Sequence, residues 1–296
     1  MLPVKNGVGP SVVSLPKDAE ARWATITDYL VERFPAISRV TWLQRMMRGD
    51  VEDESGVTVT SDRPCQAQLR VYYYRDVEVE EHIPFDEFIL HQDEHLLVVD
   101  KPHFLPVTPS GKYLQETVLV RLKRKLGLAD LVPIHRIDRD TAGLVLFSIQ
   151  PATRNAYQAL FRERAVHKTY EAIAPWRPDL VFPQSRHSRI VAGEGFMTQR
   201  EVDGTPNALT HIDVLEVKDH VARYQLSPIT GKRHQLRVHM NALGLPIVGD
   251  GIYPVLTPEG QTNYEHPLQL LAKSIEWMDP MTHKVRQFTS KFKLNL

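Results

Sequence analysis

Residues 131–149 read Leu-Val-Pro-Ile-His-Arg-Ile-Asp-Arg-Asp-Thr-Ala-Gly-Leu-Val-Leu-Phe-Ser-Ile. Two short apolar runs, 131–137 and 144–149, enclose a polar turn. Apolar runs this short, bounded by turn residues, are predicted as buried strands. The turn between them, His135-Arg136-Ile137-Asp138-Arg139-Asp140-Thr141-Ala142-Gly143, gathers two carboxylates, two guanidiniums and an imidazole. A charged loop carried by rigid strands is a natural setting for a functional site, because the scaffold holds the groups in place. A hairpin turn closed by ion pairs has the same composition. Residue types alone choose neither between these readings nor between Asp138 and Asp140.

Working outward, residues 96–100 form a further buried-strand candidate ending at Lys101-Pro102, and strands are predicted at 168–174, 209–217 and 221–226. Helical spacing marks residues 116–126, with Arg121, Lys123, Arg124 and Lys125 toward solvent, then 152–161, then 234–243 with Leu236, Met240 and Leu243 as its inner stripe. Strands without regular helix alternation predict an α+β fold with a mixed, largely antiparallel central sheet and flanking helices. At the N-terminus, residues 1–20 carry Gly, Pro and Ser without periodicity and read as a flexible arm. Residues 21–82 read as a small α/β module: helical spacing to Met47 with a break at Pro35, a stop at Gly49, then short strands. An acidic stretch over 76–87 reads as a linker, so the large domain is expected over 83–296.

The 296 residues, 42% hydrophobic, suffice for one substantial core plus a small module. No apolar run approaches the roughly 18 residues that a membrane helix needs, and the first residues lack a signal-peptide pattern. The single cysteine, Cys65, excludes an intrachain disulfide and a thiolate zinc site. These features lead to the expectation of a cytoplasmic protein without metal or cofactor, away from membranes. With no long exposed apolar stripe, a monomer is expected. The zero net charge conceals segregation: residues 121–240 hold 19 Lys and Arg against 12 Asp and Glu. A polyanion would meet an attractive field over the middle of the chain.

A second concentration of polar residues is Thr230-Gly231-Lys232-Arg233-His234-Gln235-Leu236-Arg237-Val238-His239. Three cations crowd the start of a predicted helix, where the macrodipole disfavours positive charge. They call for an anionic partner, either a phosphate or a buried carboxylate. His234 and His239 stand five apart, which places their rings on different helix faces, unlike the four-residue spacing of a helical zinc pair.

These segments together resemble the RluA-type pseudouridine synthases. That family's loop runs His-Arg-Leu-Asp-x-x-Thr-Ser-Gly, and residues 135–143 match it with Ile137 for Leu and Ala142 for Ser. Lys168-Thr169-Tyr170, the run from Thr230 to His239, the segment from Gly244 to Asp250 and Lys101-Pro102 match further landmarks in order, with Lys232 where the family has Arg. The resemblance covers roughly residues 86–275. It implies an enzyme that isomerises uridine in structured rRNA or tRNA without a cofactor. By the resemblance, Asp138 is the catalytic aspartate and Arg237 pairs with it. Tyr170 stacks under the target base, and Arg136 fills the space that the flipped nucleotide leaves. Asp140 becomes a structural loop residue. The charge map adds Lys123, Arg124, Lys125, Lys232 and Arg233 as candidate phosphate contacts. Residues 37–75 resemble the small alpha-L RNA-binding module fused to such synthases, with Arg39, Arg45 and Arg48 as contact candidates. A non-catalytic RNA-binding or ribosome-assembly protein on the same fold is the alternative.

Overall fold

The computed structural model describes residues 7–75, 80–195, 197–257 and 263–296. The chain divides into two compact units. The smaller comprises residues 1–81 with 109–115 and 120–129, and the larger the remainder.

In the smaller unit, β1 (Ser11–Ser14), β2 (Val51–Asp53) and β3 (Arg70–Tyr73) form a three-stranded antiparallel sheet in the order β1-β3-β2. Helices α1 (Ala19–Arg22), α2 (Ile26–Arg33) and α3 (Arg39–Met47) complete it. Thr25 and Asp28 close a capping box on α2, and Ser38 caps α3, so both helix starts are satisfied locally. Trp23, Ile26, Leu30, Trp42, Val51 and Val71 share its core. Two expectations change here. Residues 11–14, expected in a flexible arm, are an edge strand, and Leu15 and Ala19 are buried just beyond it. Residues 109–115 and 120–129, expected in the large domain, belong to the smaller unit. The Glu80 carboxylate accepts the Leu114 and Gln115 N–H groups at 2.7 and 2.9 Å, and Val8, Leu114 and Val120 pack as a cluster. Of the expected linker, residues 76–79 lie outside the described residues.

The larger unit is built on an 11-stranded sheet. Its path runs β10 (Gln199–Val202), β9 (Gln184–Ala192), β11 (Ala208–Lys218), β12 (Val221–Pro228), β8 (Val166–Pro175), β13 (Leu270–Met278), β7 (Ala142–Ser148), β5 (Leu96–Lys101), β4 (Phe88–Gln92). In addition β14 (Val285–Thr289) pairs with β13, and β6 (Val132–Pro133) with β7. Every pairing is antiparallel except β13 with β7. At that parallel seam Gly143 faces Ala272 with φ +110°, and a Cβ there would stand 2.3 Å from the Ala272 oxygen. Only glycine allows so close an approach. Strands β5 and β7 are buried along their whole length, which explains their continuous apolar reading. Helix α4 is Val118–Leu126, of which residues 120–126 belong to the smaller unit; α5 (Pro151–Arg162), with proline at its first turn, packs Tyr157 into a core with Leu144, Leu146 and Trp277. Helix α6 (Gln235–Ala242) packs Leu236 and Met240 against Tyr224 and Leu226 of β12.

Candidate active site

The loop between β6 and β7 holds the charged turn. The strand expected over 131–137 is shorter in the structure, only Val132–Pro133, because Pro133 has no N–H to extend a ladder. The chain beyond it is tied down by other groups. His135 Nε2 accepts the Leu146 N–H at 3.2 Å, and its ring stacks on Phe161 at 4.5 Å. Burial, then the neighbouring Lys168 charge, pushes this imidazole down to about 3, so it is neutral and structural. The ammonium of Lys101, fully buried at the end of β5, donates to the carbonyls of Pro102 at 2.8 Å and Arg139 at 2.9 Å. Burial drives Lys101 down to about 7 against the opposing pull of Asp140 and Asp138. His103 Nδ1 meets the Asp140 carbonyl at 2.7 Å.

These ties separate the two carboxylates that the residue types left equal. Asp140 accepts from Arg139 Nε at 2.8 Å and is absent from the cavity wall. Asp138 lines a cavity of about 700 Å³, whose walls include the β6–β7 loop, β8, the 228–232 turn and α6. Arg237 Nη1 donates to Asp138 Oδ2 at 3.3 Å. The main partner of Arg237 is a residue that sequence reasoning did not single out. Asp250 accepts from Arg237 Nε at 2.8 Å and Nη2 at 2.6 Å, with both side chains almost wholly buried. Asp250 Oδ1 also accepts the N–H groups of Ile252 and Tyr253. Burial alone would lower Arg237. The hydrogen bonds and charge of Asp250, followed by the charges of Asp138 and Asp140, instead raise it above the ordinary arginine range. The guanidinium is therefore permanently charged, bidentate on Asp250 through Nε and Nη2, with Nη1 turned to Asp138. For Arg237 the anionic partner is thus a buried carboxylate, a pairing that among the described residues Lys232 and Arg233 do not share. The sequence signal for it was the Gly249-Asp250 pair closing the last landmark, where Gly249 takes φ +76° and a Cβ would meet the Pro267 oxygen at 2.4 Å.

Tyr170, on β8, lines the same cavity. Burial and then the Asp138 charge push its phenol well above the ordinary tyrosine range, so the hydroxyl stays neutral. His234, in the left-handed region at φ 53°, places Nε2 3.9 Å from Asp138 Oδ2 while Nδ1 meets the Tyr253 hydroxyl at 3.0 Å. Burial lowers its pKa despite Asp138, so this imidazole too favours the neutral form. Gln235, also unanticipated, fastens the turn before α6. Its Nε2 donates to Leu209 O and Thr210 Oγ1, and its Oε1 accepts from Thr230 Oγ1 at 2.7 Å and Lys232 N at 3.0 Å. Arg136 and Lys232 line the cavity, whereas Arg233 is exposed with its guanidinium against Met197.

The remaining predicted contacts lie in the smaller unit. Lys123, Arg124 and Lys125 fall within its 120–129 segment, with Arg124 and Lys125 exposed. Arg39 pairs with Asp28, and Arg48 Nε donates to Asp50 at 3.0 Å. Arg45 corrects its expected role: it is 5% exposed, with its guanidinium over the Trp42 ring at 5.2 Å, so no face remains for a phosphate. Among the described residues no group of three or more His, Cys, Asp or Glu is arranged to hold a metal ion, and no helix is long and apolar enough to cross a membrane.

Comparison with known proteins places this geometry in context. The family described as RNA pseudouridylate synthase matches residues 95–242. An uncharacterized RNA pseudouridine synthase of Synechocystis is 31% identical over 233 residues, spanning 76% of this chain and 78% of the relative. The dual-specificity RNA pseudouridine synthase RluA of Haemophilus influenzae is 32% identical over 211 residues, 69% of this chain and 92% of its own. Among solved structures, human RNA pseudouridylate synthase domain containing 4 superposes with a TM-score of 0.55 at 27% identity, covering 70% of this chain and 88% of its own. Human RNA pseudouridylate synthase domain containing 1 shares the fold, with a TM-score of 0.58 at 22% identity over 72% of this chain and 86% of its own.

Proposed function

Since the chain belongs to the RNA pseudouridine synthase family and is an isomerase, we propose that its reaction centres on Asp138, working in the cavity it shares with Tyr170 and Arg237. Pseudouridine formation breaks the N1–C1′ bond of uridine, turns the uracil, joins C5 to C1′ and removes the C5 proton. No electrons are gained or lost and no outside group enters, so the reaction needs no redox cofactor. An ionised carboxylate activates the sugar, either by attack at C1′ or by taking a proton at C2′. A carboxylate drawn from water tends to neutralise itself, and an adjacent guanidinium opposes this. The contact of Arg237 with Asp138 at 3.3 Å is the observation that carries the assignment.

Tyr170 provides a stacking face for the uracil, worth about 1–3 kcal/mol per base. A uridine within structured RNA must first leave its stack, at about a few kcal/mol. Arg136, exposed at the cavity wall, occupies the vacated space, and Lys232 meets the backbone. The substrate is a stem-loop of rRNA or tRNA, bound by a cytoplasmic monomer.

Two experiments test this. Asp138→Asn should abolish tritium release from RNA carrying 5-tritiated uridine while leaving the fold intact; release at the wild-type rate would remove Asp138 from the mechanism. Mapping pseudouridines in cellular RNA with and without the protein identifies the uridine. Loss of sites only outside rRNA and tRNA would overturn the substrate assignment.

A further inference from the structure

Helix α5 ends in a Schellman motif. Arg164 N donates to Phe161 O at 3.3 Å, and Ala165 N donates to Leu160 O at 2.8 Å. The residue at the turn of this motif takes the left-handed conformation, and glycine is the usual occupant because it has no Cβ. Here it is Arg164, at φ 59°, and it lines the active-site cavity. The fold thus tolerates a strained backbone at a position where its side chain reaches the site.

Two residues further on, β8 begins. Val166, Lys168 and Tyr170 alternate onto one face of the strand and all line the cavity. Lys168 therefore stands about 7 Å along the strand from Tyr170. It is half-buried, and among the described residues its side chain makes no ion pair and no hydrogen bond. Burial lowers its pKa with nothing to offset it. A cation held partly out of water without a counter-ion is unfavourable, and an anionic ligand reverses the balance. The surroundings supply no such anion. His135 is neutral, Phe161 and Val166 are apolar, and among the described residues the only carboxylate in the cavity wall, Asp138, faces Arg237.

We propose that Lys168 and Arg164 form a phosphate subsite at the α5–β8 end of the cavity, taking the backbone phosphodiester beside the uridine stacked on Tyr170. It rests on the RNA reading above, gives Lys168 a phosphate role that the landmark did not assign, and adds Arg164, which neither sequence nor charge map offered. The flipped nucleotide is then held at two points, its base on Tyr170 and its backbone on Lys168. Asp138 meets a sugar fixed between them.

The test couples protein and RNA changes. A stem-loop carrying the mapped uridine is made with each flanking phosphate replaced in turn by an uncharged methylphosphonate, and Kd is read by fluorescence anisotropy. Lys168→Met should weaken binding of unmodified RNA about tenfold and reduce the salt slope by about one. One methylphosphonate position should weaken the wild type by a similar factor yet cost Lys168→Met nothing more. Arg164→Gly should raise Tm, by relieving the left-handed strain, and still weaken RNA binding. Strictly additive losses at every position, or wild-type affinity in both variants, would overturn the subsite. Wild-type protein that binds this RNA and forms no pseudouridine would instead overturn the catalytic reading, leaving the phosphate coupling measurable by itself.

Discussion

Replacing Asp250 with Asn should damage both the stability and the rate of this enzyme, although Asp250 is absent from the cavity wall. Its carboxylate takes Arg237 Nε and Nη2 at 2.8 and 2.6 Å, with exposures of 1% and 2% for the two side chains. Asparagine keeps one oxygen for the Ile252 and Tyr253 N–H groups but turns an amide donor toward a guanidinium donor. Removing one partner of a buried ion pair costs about 3–5 kcal/mol. The retained backbone bonds and the remaining contact with Asp138 place this variant near the lower end. At this chain length that corresponds to a fall in Tm of about 6–10 °C. The rate follows from geometry. The fork to Asp250 fixes the guanidinium plane, and the single bond to Asp138, at 3.3 Å, depends on that plane. Misplacing a catalytic group by about 1 Å costs on the order of 100-fold. Thermal melts and tritium release at 25 °C, where the variant is still folded, check the two effects separately. A lowered Tm with kcat within about threefold of wild type would show that Asp250 supports the fold without positioning Asp138. An unchanged Tm would refute the buried-pair estimate itself.

Two further outcomes follow from the site. Tyr170→Phe should retain RNA affinity, because the phenol is neutral and the ring does the stacking, whereas Tyr170→Ala should lose about 1–3 kcal/mol of binding; equal affinities for the two in anisotropy titrations would remove the stacking role. His239 is fully buried between Thr210 Oγ1 at 2.9 Å and Ser188 Oγ at 3.0 Å, and burial pushes it down to about 4. Its unfolded form takes up a proton near pH 6.5, so its contribution is complete above that pH and is lost as pH falls toward 4, about 3 kcal/mol in all. Urea melts across that window should show a shallower acid limb in His239→Asn, and an identical limb would contradict the neutral buried histidine.

Much of the fold was legible because its elements are short and internally consistent. Runs buried on both faces, such as β5 and β7, read as strands, and α5 and α6 kept their helical spacing. Residue types also located the charged loop. They did not separate Asp138 from Asp140, since adjacent carboxylates in one loop carry the same local signal. Resemblance to a family named Asp138, and the pairing of Arg139 with Asp140 gives the physical distinction. Arg45 failed for a different reason. A helical arginine beside tryptophan reads as exposed until the packing of the smaller unit buries it over that ring.

What the sequence determined by itself was local: hydrophobic period, turn chemistry, and where carboxylates and cations cluster, with the family resemblance supplying the chemistry they were expected to serve. What only the tertiary structure decided was which charges meet. Arg237 reaches Asp138 across 99 positions and Asp250 across 13. Segments 109–115 and 120–129 join the smaller unit through contacts with residues far earlier in the chain. Among the described residues the Lys168 side chain has no partner, and the carboxylate lining its cavity, Asp138, is held by Arg237. Charge pairing and burial depend on distance in space, and no periodicity along the chain encodes that distance.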